Sequence, residues 1–333
     1  MHSLLEKLDE DQKKKLVRKK QPSWKKPMLA KLSHEVFADE NWIYERKLDG
    51  ERCLAFKNGN KVTLLSRNQQ NLNISYPEIV EAIQKQEAGH FIIDGEIVAF
   101  EGNLTSFEAL QKRMNLSDPE AVAASNTRVF YYVFDVIYLE GYDLSELDLR
   151  ARKKILKDML QFADPIRYTP HINENGTSYH AEACKKGWEG IMAKRSDSTY
   201  VHKRSSDWLK MKCTNQQEFV IAGYTDPQGD RTGFGALLIG FYKNAELFYA
   251  GKVGTGFDEN TLKELHGQMQ KIETDTPAFA DKKSLPKKNV HWLKPKLVAE
   301  VGFTEWTKND KTRHPRYLGL RHDKNATDMV QEK

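Results

Sequence analysis

The chain has 333 residues, which is enough for about two domains. Its mean hydropathy is −0.69, and no apolar run comes near the roughly 20 residues that span a bilayer, so we expect a soluble protein and no membrane partner. The net charge of +5 comes from residues 1–26, which hold nine Lys/Arg and four Asp/Glu, because the other 307 residues hold 43 of each sign. Global charge therefore does not indicate a nucleic-acid partner.

The three cysteines, Cys53, Cys184 and Cys213, are odd in number and far apart in the sequence. This spacing argues against a disulfide framework and against a zinc site, and it favours a reducing compartment. No secretory signal is visible, because the chain turns polar at Glu6. We therefore expect a cytoplasmic protein.

Residues 1–26 contain two blocks of like charge, Lys13–Lys15 and Arg18–Lys20, which favour a mobile arm. Two roles remain open for this basic arm: a phosphate-binding tail and a solvated leader that aids solubility.

The segment 45–52, Glu-Arg-Lys-Leu-Asp-Gly-Glu-Arg, is the stretch around which the other motifs are arranged. Strand-like residues precede and follow it, so it predicts the middle of a β-hairpin with Asp49-Gly50 as the tight turn. A second Asp-Gly pair, Asp94-Gly95, predicts another hairpin in the same way.

Four segments are predicted to be helices from apolar residues at helical spacing or from cap residues: Pro77–Lys85, Phe107–Met114, Leu149–Phe162 and Ser178–Lys186. Arg128–Leu139 is strongly β-biased and predicts a buried central strand. Beyond residue 217, short strands at 218–224, 236–242 and 247–253 precede one helix at 260–272 and a strand at 297–306. This succession is typical of a small five-stranded barrel of the OB type.

Several common catalytic signatures are missing from the sequence. There is no G-x-x-x-x-G-K-[ST] phosphate loop, no His/Cys pattern with zinc spacing and no G-x-S-x-G nucleophile elbow. What remains is an unusual supply of lysine, arginine and glutamate at predicted strand ends. Each such residue alone is more often part of a solvated ion pair, so the prediction depends on the whole set.

A lysine becomes a nucleophile only after it loses its proton, so nearby cations or a metal must lower its pKa. Four cations would supply such a field, and neutralise phosphates, if they converge on Lys47: Arg52, Lys194, Lys210 and Lys212. Lys210 and Lys212 lie two residues apart on a predicted strand and hence on one face. Glu96 and Glu189 offer oxygen ligands suited to Mg²⁺.

The motifs occur in an order that resembles the covalent nucleotidyltransferase superfamily and, within it, the ATP-dependent DNA ligases. They are KLDGER from Lys47, SRN from Ser66, DGE from Asp94, YVFD from Tyr132, EGIMAK from Glu189, WLKMK from Trp208 and RHDK from Arg321. The amino-acid sequence at 217–225, 233–238, 249–257 and 297–301 is most similar to the ligase module of bacterial non-homologous end-joining enzymes of the ligase D type. The resemblance covers about Pro27 to Lys324, so we expect no polymerase or nuclease module in this chain.

The resemblance implies an α+β fold. An adenylation (nucleotidyltransferase) domain of antiparallel sheets with flanking helices is expected at 27–214, and an OB-fold β-barrel at 215–333, after the basic arm at 1–26. It also implies a DNA ligase that seals nicks through a lysyl-adenylate and a DNA-adenylate, with ATP and Mg²⁺ or Mn²⁺ as cofactors.

The resemblance further implies roles for individual residues. Lys47 would attack the α-phosphate of ATP, on which Lys194, Lys210 and Lys212 would also bear. Around the nucleotide, the implied roles are base selection by Glu45, stacking by Phe134, ribose or metal contact by Glu96 and metal binding by Glu189 and Asp49. For phosphates and DNA, they are phosphate contact by Arg52, DNA-backbone contact by Arg67 and pyrophosphate alignment by Arg321, Asp323 and Lys324.

The implied partner is nicked duplex DNA, bound without sequence readout, by a monomer in the bacterial cytoplasm at the nucleoid. A Ku-like end-binding protein is a further implied partner. Three alternatives stay open: an RNA ligase, an mRNA guanylyltransferase, and a nucleic-acid-binding protein with a vestigial site. Labelling by GTP would favour the guanylyltransferase, and sealing of RNA nicks would favour the RNA ligase.

Overall fold

The structure is a computed structural model that describes residues 3–114, 116–227, 229 and 231–332. The chain divides between Cys213 and Thr214 into two compact units. In the described part of the chain, no helix is long and apolar enough to cross a membrane.

The first unit has two sheets within its described residues. In the eight-stranded sheet, six strands follow the order β1 (Val17–Arg18), β9 (Tyr142–Asp143), β8 (Val129–Leu139), β6 (His90–Glu101), β4 (Glu51–Asn58) and β5 (Lys61–Ser66). β10 (Ile166–Tyr168) pairs in parallel with β8, and β7 (Leu104–Thr105) pairs with β6. The five-stranded sheet has the order β11 (His171–Asn173), β3 (Trp42–Arg46), β12 (Gly190–Arg195), β13 (Arg204–Lys212) and β2 (Leu29–Leu32).

The helices of this unit are α1 (Ser3–Glu6), α2 (Glu10–Lys14), α3 (Pro77–Gln84), α4 (Phe107–Met114), α5 (Pro119–Ala123), α6 (Leu149–Met159) and α7 (Gly176–Lys185). The main core contains apolar residues of α3, α4 and α6 together with one face of the eight-stranded sheet. The other face of that sheet packs on the five-stranded sheet through Leu54, Ile92 and Trp208. On its far side the five-stranded sheet contacts α7, where Ala183 packs with Ile191 and Met211.

The predicted hairpin at 42–56 is wrong. β3 belongs to the five-stranded sheet and β4 to the eight-stranded sheet, so the segment from Lys47 to Gly50 crosses between the sheets. Gly50 is needed for close approach, because a Cβ there would lie 2.3 Å from the carbonyl oxygen of Ile97. The predicted turn at Asp94-Gly95 is also wrong, because β6 runs through both residues as a 12-residue strand.

The prediction of a mobile arm at 1–26 is wrong as well. Leu5 is fully buried in the main core, and the Gln12 side-chain amide donates to Asp148 at 2.7 Å. The Gln21 amide donates to the carbonyl oxygens of Lys57 and Phe91, both at 3.0 Å. The two blocks of like charge do not keep this segment mobile, because the apolar and amide side chains between them attach it to the first unit.

The second unit contains β14 (Gln216–Thr225), β15 (Leu237–Lys243), β16 (Glu246–Val253), α8 (Glu259–Gln270), β17 (Glu273–Thr274), β18 (Val290–Gly302), β19 (Arg316–Leu320) and a 3₁₀ turn at Ala326–Asp328. Its sheet has the order β16-β15-β14-β18-β17, with β19 also paired to β18. The Tyr317 N–H donates to the Thr255 carbonyl at 2.9 Å and so joins the β19 side to the chain beyond β16. This arrangement agrees with the predicted OB-type barrel.

The cysteines contradict the expectation drawn from their spacing. Cys184 in α7 and Cys213, immediately after β13, form a disulfide. Cys53 is a free thiol buried in β4. The separation of 29 residues concealed the pair, because α7 packs directly on the sheet that contains β13.

Candidate active site

Lys47 lies at the end of β3, where the chain leaves the five-stranded sheet. Its N–H donates to the Gly190 carbonyl at 3.0 Å, which continues the pairing of β3 with β12 by one residue. Its ammonium Nζ contacts Glu189 Oε2 at 2.5 Å, and Lys212 Nζ lies 4.0 Å from Glu189 Oε1. One carboxylate therefore lies between two lysines that the sequence analysis had selected.

Gly190 makes this approach possible. Its φ is +150°, and a Cβ would lie 2.2 Å from the Met211 carbonyl oxygen and 2.8 Å from the Lys212 Cα. A residue with a side chain would push β12 away from β13 at this point. Glycine thus keeps Glu189 within reach of Lys212.

The pKa of Lys47 is not lowered, although its predicted role as a nucleophile requires a lowered pKa. Burial lowers the pKa of the Lys47 ammonium, but Glu189, Asp49 and Glu96 together raise it by more, so the pKa lies above its usual value. Without nucleotide, Lys47 is therefore a protonated cation at neutral pH. Its activation requires a change in the charges around it.

The three carboxylates that raise the pKa of Lys47 are the predicted metal ligands. Glu189 precedes β12, Asp49 lies on the segment between the sheets, and Glu96 lies on β6 opposite Arg52. The Asp49 carboxylate also accepts the Phe107 N–H at 3.2 Å, at the start of α4. Carboxylate oxygens are the ligands that Mg²⁺ and Mn²⁺ prefer, so the residues present fit the implied metal.

Glu45 forms a second, fully buried charge cluster beside Lys47. One oxygen of its carboxylate binds Lys153 of α6, and the other lies 2.6 Å from Lys194 Nζ. Burial alone would raise the pKa of Glu45, but the two ammonium groups outweigh burial and lower that pKa below its usual value. Lys153 also donates to the Thr169 carbonyl at 3.2 Å.

The sequence analysis missed Lys153. The sequence does contain a sign that Lys153 is buried, because Arg152 and Lys153 fall on the apolar face of α6 with Leu149 and Leu156. Arg152 is also fully buried and binds the Asp135 carboxylate at 2.8 and 3.0 Å. A charged residue in the apolar stripe of a helix indicates a buried partner.

Polar groups without partners lie next to this cluster. Thr169 Oγ1 and His171 Nδ1 are among the buried atoms without a hydrogen-bond partner in the part of the chain that the structure describes. His171 lies opposite Glu45 in the pairing of β11 with β3. Burial and Lys153 lower the pKa of His171 to about 4, so the imidazole is neutral at neutral pH. Orphaned polar atoms beside a charged acceptor fit the edge of a purine base.

Phe134 lies on the face of β8 that meets the five-stranded sheet, and it is only 7% exposed. Its ring centroid is 4.1 Å from Lys194 Nζ and 4.6 Å from the Arg52 guanidinium carbon. Trp208 packs edge-on against it at 6.0 Å. Two cations therefore already contact the ring on which a base is expected to stack.

Arg52 is fixed by a carboxylate that the sequence analysis assigned to a turn. It binds both oxygens of the fully buried Asp94, at 2.5 and 2.6 Å, and Tyr200 donates to the same group at 2.5 Å. Burial lowers the pKa of Arg52, but Asp94 more than offsets this and the pKa is raised. Arg52 is thus held in one orientation with a permanent charge.

The remaining predicted residues lie at three places. Lys210 lies on β13 opposite Met192, two residues before Lys212, and so on the face that carries Glu45. Arg67 is half-buried just after β5.

Arg321, Asp323 and Lys324 belong to the second unit, where Arg321 binds Asp323 at 2.8 Å and Glu300 at 2.9 Å. Lys324 lies 3.4 Å from Glu218.

Comparisons with known proteins agree with this geometry. Residues 27–212 match the family model "ATP dependent DNA ligase domain", and residues 230–324 match "ATP dependent DNA ligase C terminal region". The chain belongs to the ATP-dependent DNA ligase family. The family and the α+β fold with an OB-fold domain that the sequence predicted are confirmed.

Individual relatives are similar over nearly the whole chain. The multifunctional non-homologous end joining protein LigD of Pseudomonas aeruginosa is 35% identical over 94% of this chain and 37% of its own length. The Mycobacterium tuberculosis LigD is 33% identical over 92% of this chain and 40% of its own. A solved "mycobacterial DNA ligase D complexed with ATP and MES" is 31% identical, with a TM-score of 0.64 over 92% of this chain and 98% of that one. The ligase chain thus spans less than half the length of these two LigD proteins.

The Lys47–Glu189 pair predicts how a Glu189→Gln variant of this ligase behaves. Removing the carboxylate lowers the pKa of Lys47, because burial then opposes the ammonium form with less compensation. At a fixed, mildly alkaline pH, acetylation of Lys47 in nucleotide-free protein should accelerate at least about tenfold, the factor for one pKa unit. Peptide mass spectrometry measures this rate.

Glu81→Gln is the matched control, because Glu81 pairs with Lys85 at 2.7 Å on the surface. Acetylation of Lys85 should change little in that variant. An unchanged Lys47 rate in Glu189→Gln would contradict the assignment of Glu189 as the carboxylate that sets the charge of Lys47.

Proposed function

We propose that this chain seals nicks in duplex DNA by joining a 5′-phosphate to a 3′-hydroxyl at the expense of ATP. The observation that carries the proposal is the position of Lys47 beside Glu189 and Lys212, where the two sheets of the first unit meet. Membership of the ATP-dependent DNA ligase family supports the same reaction.

In the first step, the neutral Lys47 amine attacks the α-phosphate of ATP. A nitrogen–phosphorus bond forms, the bond to the leaving oxygen breaks, and pyrophosphate departs. Lys212, 4.0 Å from the shared carboxylate, and Lys210 on the same face of β13 neutralise the charge that develops on phosphate. AMP then passes to the 5′-phosphate of the nick, and the 3′-hydroxyl displaces it.

Glu189, Glu96 and Asp49 are the residues that would hold Mg²⁺ or Mn²⁺. The bound ion would offset the three carboxylates that now keep Lys47 protonated, and it would neutralise phosphate. The charge balance around Lys47 therefore supports a requirement for the divalent ion before adenylation.

Base recognition follows from the Glu45 cluster. An ionised carboxylate accepts the exocyclic amine of adenine and repels the carbonyl oxygen that guanine presents at the same position. Both oxygens of Glu45 now bind lysines, so we infer that the adenine amine replaces Lys194 while Lys153 remains. Lys194 then becomes free to contact the α-phosphate, and one face of Phe134 becomes free to stack on the base.

Arg52 and Arg67 are assigned to phosphates of the nucleotide and of the DNA at the nick. The bidentate contact with Asp94 supports this for Arg52, since a fixed guanidinium suits phosphate recognition. We assign alignment of the pyrophosphate to Arg321, Asp323 and Lys324 of the second unit. The Arg321–Asp323 pair is buried, and Lys324 is more exposed than either and lies beside Glu218 and Asp323.

The DNA partner is contacted through its phosphates and not read in sequence. The similarity to LigD proteins supports a role in end joining, with a Ku-like end-binding protein as the recruiting partner. A monomer that acts on the nucleoid in the cytoplasm is consistent with these assignments.

A nick-sealing assay tests the function. Wild-type protein with ATP and Mg²⁺ should seal a nick in duplex DNA, Lys47→Ala should lose sealing, and the exposed-residue control Lys85→Ala should retain it. The same assay with an RNA nick and with GTP separates the alternatives. Sealing of RNA in preference to DNA would indicate an RNA ligase, and transfer of GMP would indicate a guanylyltransferase. Sealing by Lys47→Ala would remove Lys47 as the nucleophile.

Lys153→Met tests base recognition. Loss of the ammonium raises the pKa of Glu45 and leaves Lys194 as its remaining cation, so Lys194 is not released to the phosphate. We expect KM for ATP in covalent labelling to rise at least about tenfold, or ~1.4 kcal/mol, with a smaller preference for ATP over GTP.

Lys154→Met is the matched control, because Lys154 is the next residue on α6 and is exposed. Circular dichroism and a denaturant titration check folding, since removing one member of a buried ionic cluster costs about 3–5 kcal/mol. A folded Lys153→Met protein with unchanged KM and base preference would contradict the assignment.

A further inference from the structure

A cluster of metal-ligand side chains lies outside the proposed nucleotide site. His180, Cys184 and Cys213 place one donor atom each within 4.8 Å of one another, and all three are partly buried. His180 and Cys184 are four residues apart on α7 and therefore lie on the same face of the helix. Cys213 approaches from the end of β13.

The distances between imidazole and sulfur suit a shared ion. Both ring nitrogens of His180 lie 3.7 Å from Cys184 Sγ. A tetrahedral Zn²⁺ with bonds of about 2.3 Å to sulfur and 2.0–2.1 Å to nitrogen holds sulfur and nitrogen roughly 3.6 Å apart. His180 therefore lies at the required separation from Cys184, and a turn of its ring directs one nitrogen at a common ion.

We propose that His180, Cys184 and Cys213, once the disulfide is reduced, bind a thiophilic cation of the Zn²⁺ class. A low-molecular-weight dithiol supplies two electrons and two protons, the sulfur–sulfur bond breaks, and the dithiol becomes a disulfide. Binding of the ion then releases one proton from each cysteine thiol. The disulfide and the metal-bound dithiolate are thus alternative states of one site.

The third cysteine, Cys53, is not expected to bind the ion. Cys53 is fully buried in β4, and burial, followed by the carboxylate of Glu51, raises the pKa of its thiol well above the usual value. A thiol that resists deprotonation is a poor ligand for Zn²⁺. Cys53 therefore serves as an internal control within the same chain.

The site is linked to the proposed active site through the backbone. The Cys213 N–H donates to the Glu189 carbonyl at 3.0 Å, and Cys213 directly follows Lys212. His180 Nε2 lies 3.4 Å from the Lys212 carbonyl oxygen. Either state of the site joins α7 to the end of β13, so a bound ion maintains this connection under reducing conditions.

Titration of the full chain with Co²⁺ tests the proposal. Reduced, chelator-treated protein should develop a thiolate-to-cobalt charge-transfer band that saturates at one ion per chain and disappears when Zn²⁺ is added. Oxidised protein should give no such band. Co²⁺ bound by the carboxylates near Lys47 gives no sulfur band, so failure of the proposed ligase function would leave this test intact.

Three variants complete the design. Cys184→Ser should lose the band, His180→Ala should weaken Co²⁺ binding at least about tenfold, and Cys53→Ala should leave the band unchanged. In the reduced protein, Zn²⁺ should raise Tm, and it should not do so in Cys184→Ser. No band in reduced wild type, an equal band in oxidised wild type, or a band that persists in Cys184→Ser would overturn the proposal. Unchanged affinity in His180→Ala would remove His180 from the site.

Discussion

The crossing of the chain from the five-stranded to the eight-stranded sheet is the constraint on which the rest of the first unit depends. Lys47 is fixed at one end of the crossing by its hydrogen bond to Gly190. At the other end Gly50 leaves no room for a side chain beside the Ile97 carbonyl, and Glu51 pairs with Ile97. Lys47, our proposed nucleophile, thus lies on a segment anchored at both ends and has little freedom to move. That rigidity suits a reaction that depends mainly on position and charge.

Buried charge provides the second level of organisation. Three carboxylates that are less than 2% exposed each bind a cation: Glu45 with Lys153 and Lys194, Asp94 with Arg52, and Asp135 with Arg152. Such pairs contribute little net stability compared with apolar residues, but leaving one member alone costs about 3–5 kcal/mol. We therefore attribute their presence to the need to hold charged groups at the proposed nucleotide site.

The sequence was sufficient where a local pattern decides the structure. The helices at Pro77, Phe107 and Leu149 and the strand ending at Leu139 were predictable from periodicity, and the motif order was enough to identify the family. The sequence was insufficient where a residue's structural partner is distant along the chain. Asp49-Gly50 reads as a hairpin turn, because nothing local indicates that β3 and β4 belong to different sheets. Lys153, 108 residues from Glu45, was missed for the same reason.

We propose that Lys47 carries the adenylate, and one measurement tests this directly. Protein stripped of bound nucleotide is incubated with ATP and Mg²⁺, digested at neutral pH and mapped by mass spectrometry. We expect the mass of AMP on the peptide containing Lys47, through a linkage that acid cleaves and alkali does not. AMP on a different residue, or no adduct in protein that seals nicked DNA, would contradict it.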